Sequence, residues 1–154
     1  MKILRNASVL LVMILLVGCG DDDPVALVDE GITIADLVGS WTATSNTYTN
    51  NANAAETFEL ISNGGEVRVT VLADGGTRTW VDFDTVLDEW DSAATVNGAT
   101  ITSVPVEAGR PTRVWTFTLV NGILTLTDAT SEWDFTLSGA TPVSATEVVV
   151  LVRN

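Results

Sequence analysis

Acid–base, nucleophilic and metal chemistry have few residue types to draw on in this chain. It contains no His, and its only Lys is Lys2, which removes an imidazole base, an imidazole metal ligand, a phosphate-cradling lysine and a Schiff-base amine together. Carboxylates are abundant, and the densest group is Asp82, Asp84, Asp88, Glu89 and Asp91 around Trp90. Hard cations such as Ca²⁺ want several oxygens of this kind, but the glycine turn and terminal Glu of a calcium loop are missing. These acidic residues are therefore read as a solvated face. No spacing marks an acid/base pair of carboxylates. The expectation is a chain with no catalytic residue, no metal site and no cofactor. A net charge of −13 also disfavours nucleic acid, whose phosphates need Arg and Lys. What remains are aromatic side chains, above all Trp115, Phe117, Trp133 and Phe135, which could line an apolar pocket for a small hydrophobic molecule.

The elements that would position those rings are strands. Residues 19–154 hold 22 Thr and 18 Val, β-branched types that favour pleated backbone. Apolar and polar residues alternate at Val67, Val69 and Val71, at Trp115, Phe117 and Leu119, and at Trp133, Phe135 and Leu137, giving each run one dry face. Trp80 instead shares a face with Arg78, Asp82 and Asp84, and is placed outside. Asn63-Gly64-Gly65, Asp74-Gly75-Gly76, Asn97-Gly98 and Asn121-Gly122 stand between runs and suit tight hairpins, so consecutive strands are expected to be antiparallel neighbours. The pattern predicts strands near 40–48, 55–62, 66–73, 77–86, 92–96, 99–104, 112–120, 123–128, 131–138 and 145–153. The fold class is all-β, an antiparallel up-and-down barrel of 8–10 strands, because closure removes both free edges of such a meander. The rival is a two-sheet sandwich, although the Cys-Trp-Cys hallmark of immunoglobulin domains is absent.

Ahead of this domain, Lys2 and Arg5 precede an apolar run from Ala7 to Val17, which has the length of a signal peptide and is short for a membrane span. The run ends in Leu16-Val17-Gly18-Cys19, which resembles the bacterial lipobox. That resemblance implies cleavage after residue 18 and acylation of Cys19 with palmitate-type chains, a durable anchor because more than one chain is attached. It also gives a use to the only Cys, which has no intramolecular disulfide partner. Gly20 beside it resembles the pattern that directs lipoproteins to the outer membrane. The implied organisation is a signal peptide at 1–18, a lipidated Cys and flexible acidic tether at 19–32, and a barrel domain at 33–154.

Thr33-Ile34-Ala35-Asp36-Leu37-Val38 reads as a short capped helical turn, followed by Gly39-Ser40-Trp41. A short helix leading into Gly-x-Trp at the first strand resembles the opening of the lipocalin fold. In that family an Arg on the last strand packs across the Trp, and Arg153 ends the final apolar run. The resemblance implies a structural seam of Gly39, Trp41 and Arg153 where the first and last strands meet, sealed by a cation over an indole. The tract from Trp115 to Asp128 is similar to a hairpin of compact bacterial lipocalin-like lipoproteins. Two functions follow as expectations. One is an envelope lipoprotein whose open barrel binds or sequesters a small hydrophobic ligand. The other is a filled barrel serving as a structural or protein-interaction module. An interior void of ~300 Å³ or more separates the first from the second.

Overall fold

A computed structural model describes residues 31–154 of the chain, so the expected signal peptide, Cys19 and nearly all of the expected tether lie outside the described residues. It contains one helical turn, α1 (Ile34–Leu37), and nine strands: β1 (Gly39–Asn50), β2 (Thr57–Glu59), β3 (Glu66–Val71), β4 (Gly76–Phe83), β5 (Val86–Asn97), β6 (Thr100–Pro105), β7 (Arg113–Val120), β8 (Ile123–Trp133) and β9 (Val143–Arg153). All strand pairs are antiparallel, and β1 pairs with β9 to close the sheet. Eight strands form the barrel. The ninth, β2, lies against the upper half of β1.

Closure occurs where the Gly-x-Trp resemblance places it. Trp41 and Arg153 are register partners, and the Arg153 guanidinium lies 4.6 Å from the indole centroid. Trp41 is fully buried and donates its Nε1–H to the Leu37 carbonyl at 2.8 Å, which ties α1 across the barrel end. Arg153 also donates to the Asp36 carbonyl. The first turn of α1 is held by Asp36, whose carboxylate accepts from the Thr33 amide and hydroxyl, each at 2.8 Å.

Three strand expectations need correction. Residues 123–128 and 131–138 do not form two strands, because β8 runs from Ile123 to Trp133 through a bulge between Asp128 and Ser131. The bulge is stabilised from within: the Asp128 carboxylate accepts from the Thr130 amide at 2.8 Å and from its hydroxyl at 2.7 Å. Phe135 and Leu137 consequently lie beyond the strand, and Leu137 takes a positive φ of 52°. Second, the chain does not run straight through 77–86. Asp84 and Thr85 turn it with φ of 48° and 67°, so β5 begins at Val86 and absorbs the acidic stretch. Third, β2 and β3 are not hairpin partners despite Asn63-Gly64-Gly65 between them, since both pair with β1 at different heights.

A candidate ligand-binding cavity

Alternation places one face of every barrel strand inside. Inward positions are Val67, Val69 and Val71 on β3, Thr77, Thr79 and Val81 on β4, and Leu124 and Leu126 on β8, all lining an interior cavity of about 600 Å³. Ile34 and Leu37 of α1 face its lower end. Bulges shift the inward parity on two strands. On β1 an extra residue between Ala43 and Ser45 turns Asn46 and Tyr48 inward, and on β8 the bulge turns Ser131 and Trp133 the same way.

Above the aliphatic floor runs a polar belt across four consecutive strands, β1, β9, β8 and β7. Tyr48 is the register partner of Glu147, and Glu147 of Asp128. Arg113 on β7 donates Nε–H to Asp128 at 2.8 Å and Nη2–H to Glu147 at 2.6 Å. Glu147 also accepts from the Tyr48 hydroxyl at 2.8 Å and the Ser131 hydroxyl at 3.1 Å. The Asp128 and Glu147 side chains are only 2% and 5% exposed, so both depend on these donors. Burial pushes the Asp128 carboxyl up, but Thr130 and Arg113 outweigh it and hold the group below its ordinary 3.8. Burial disfavours the Arg113 charge, yet the two carboxylates more than restore it. The Tyr48 phenol is raised far above its ordinary value, chiefly by burial and then by Glu147, so it stays a donor. Below the belt, Asn46 is 2% exposed and its Oδ1 has no partner among the described residues.

At the end opposite α1, aromatic rings form a ceiling. Trp133 stacks on Tyr48 with centroids 4.2 Å apart and on Phe58 of β2 at 5.1 Å, while Phe83 of β4 meets Phe58 edge-on at 5.5 Å. A second recess of about 320 Å³ lies beside these rings. The loop between β6 and β7 borders the main cavity through Arg110, which lies 4.7 Å from the Trp90 centroid and pairs with Asp88 and Glu107.

The structure separates the four aromatic residues singled out from the sequence. Trp115 lines the main cavity, with the Arg113 guanidinium 4.4 Å from its ring centroid. Trp133 lines the second recess, and its Nε1–H is buried without a partner among the described residues. Phe117 points inward but is packed within the core, lining neither space, and Phe135 is half-buried against the core beyond β8. The acidic group around Trp90 also divides: Asp88 and Trp90 line the cavity, whereas Asp82, Asp84, Glu89 and Asp91 are exposed. Sequence reasoning missed Arg113, Asp128 and Glu147. The available signal was parity, since each shares the inward register of an apolar run: Arg113 with Trp115, Asp128 with Leu124 and Leu126, Glu147 with Val149 and Leu151.

No family model matches the chain, and no curated protein matches it.

Proposed function

We propose that the chain is a lipocalin-like carrier of the bacterial envelope, held to a membrane through acylated Cys19, which binds or sequesters a small molecule with an apolar body in the barrel and performs no catalytic step. The observation that carries this reading is the cavity of about 600 Å³, which falls in the ~300–1,000 Å³ range of small-molecule sites and combines an aliphatic floor with a polar belt above it. A barrel filled by its own side chains, the form suited to a purely structural module, would leave far less space. The closed antiparallel sheet, the helical turn ahead of it and the Trp41–Arg153 pair all support the lipocalin-like assignment.

The test of binding is titration of the full-length protein with a neutral naphthylamine probe whose fluorescence rises in apolar surroundings. Saturable binding that weakens in Trp115→Ala is expected; no saturable binding of the probe or of extracted lipids would remove the carrier reading. Anchoring is tested separately by Cys19→Ser, which should move the protein from the membrane to the soluble fraction. Unchanged membrane retention would remove the anchor.

A further inference from the structure

We propose that the cavity selects a cationic amphiphile, an amine bearing an apolar tail, with its ammonium group at Asn46, Tyr48 and Glu147 and its tail over the aliphatic floor. This rests on the carrier reading and adds the class of ligand.

Three observations point the same way. The belt carries one half-buried guanidinium against two buried carboxylates, leaving a formal charge of −1. The whole cavity wall repeats the imbalance, with Asp88, Asp128, Glu132 and Glu147 against Arg110 and Arg113. Among the described residues no other cation is at hand to correct it. Each of the five arginines among the described residues already has an acceptor: Glu66 for Arg68, Asp91 for Arg78, Asp88 for Arg110, Asp128 and Glu147 for Arg113, and the Asp36 carbonyl for Arg153.

The second observation is Asn46. Asn46 lines the cavity, and its Oδ1 is a buried acceptor with no donor among the described residues, a costly arrangement that a ligand N–H would correct. Asn46 stands two residues from Tyr48 on the same inward face, and Tyr48 bonds Glu147 Oε1, which accepts from no other group among the described residues. An ammonium has three donors and no acceptor. The Asn46 Oδ1, the Tyr48 hydroxyl oxygen and Glu147 Oε1 are three acceptors carried by neighbouring cavity-lining residues of β1 and β9.

The third observation decides against other ions. Among the described residues no three carboxylates converge on a metal position, so a hard divalent cation lacks its oxygen set. A carboxylate-headed ligand could approach Arg113 through Nη1, but it would double the local formal charge, whereas an amine cancels it. The excess of acidic residues over the whole chain also draws amines toward the barrel and repels anions.

The experiment displaces the neutral naphthylamine probe from the full-length protein with decylamine, decanol and decanoate, at neutral pH, low salt and concentrations below micelle formation. Decylamine is expected to bind at least about tenfold more tightly than decanoate, with decanol between them. Glu147→Gln and Asn46→Leu should each narrow the decylamine-to-decanol ratio at least about threefold. Asn46→Leu carries the comparison alone if circular dichroism shows that Glu147→Gln does not fold. Decanoate binding as tightly as decylamine, or a ratio unchanged in the folded variants, would overturn the amine assignment while decanol binding kept the carrier reading intact. Loss of all three ligands and of the probe would remove both.

Discussion

Carboxylates placed directly opposite each other on neighbouring strands repel, and Asp128 and Glu147 are register partners inside the barrel. Arg113 makes the arrangement tolerable by bonding both. Replacing it with Met keeps the stem over Trp115 but removes the charge, leaving two buried anions without their cation. The expected cost is about 3–5 kcal/mol near neutral pH. The pH dependence should also change sign. In the native protein Asp128 titrates below its unfolded value near 3.8, so its contribution is present above that value and is lost as pH falls through the lower folded one. In Arg113→Met Asp128 keeps its burial but loses its cation, so it binds protons more readily than the unfolded chain, and stability should rise as pH falls from 7 toward about 4. Urea denaturation across that range measures both curves, and parallel curves would contradict the argument. Residues of this kind are hard to read in a sequence. Trp41 and Arg153 were legible through the lipocalin resemblance of Gly39-Ser40-Trp41, and closure of a barrel brings the first and last strands together. Arg113, Asp128 and Glu147 occupy apolar parity, where a charged residue breaks the pattern that defines the strand, and only their convergence explains them.

Hairpins were legible where the turn chemistry was explicit. Asn97-Gly98 and Asn121-Gly122 connect β5 to β6 and β7 to β8 as expected, with Gly98 at φ 57°, Asn121 at 53° and Gly122 at 77°. Asp84-Thr85 was passed over because a β-branched residue rarely adopts positive φ, yet the β4–β5 hairpin puts Thr85 at 67°. Thr85→Gly relieves about 1–2 kcal/mol of left-handed strain and gives back about 0.5–1 kcal/mol in unfolded-chain entropy. A net gain of about 0.5–1 kcal/mol is expected in thermal unfolding, and a loss would mean that the turn is unstrained. Strand β2 was misread for a different reason. Its turn glycines suggest a hairpin with β3, but β1 spends its lower half on β3 and its upper half on β2, leaving the Asn46 amide between the two pairings. Glu59 accepts from that amide at 2.7 Å and also from the Ser62 amide, which fastens β2 to the barrel wall. Burial raises the Glu59 carboxyl, but the Ser62 and Asn46 amides hold it below its ordinary value. Glu59→Ala should cost about 1–3 kcal/mol, with faster hydrogen exchange at the Asn46 amide as the local signature. Unchanged exchange there would show that β2 is held by its ring contacts instead.

At the scale of the molecule, the strand count and the closing pair determine that there is an interior, while the size of the inward side chains determines whether it is filled. The sequence read the first correctly and left the second open, because parity shows which residues face inward but not how far opposing walls stand apart. The walls here carry small residues at inward positions, among them Ala94, Thr77, Thr79 and Ser103, and the space they leave accounts for the cavity. Ala94→Leu tests that account by the sign of its effect. Ala94 is 8% exposed and lines the cavity from β5. Three added carbons entering a hollow interior bury new apolar surface at ~0.8 kcal/mol each, so about 2 kcal/mol of added stability is expected. Entering a filled interior, the same atoms would force displaced rotamers and cost about 1–3 kcal/mol. The hollow case carries a second signature: the variant should melt at a higher temperature and bind the naphthylamine probe more weakly, since the added side chain takes the ligand's space. A variant that melts lower and binds the probe as before would mean that the interior beside Ala94 is already packed and that any ligand lies elsewhere.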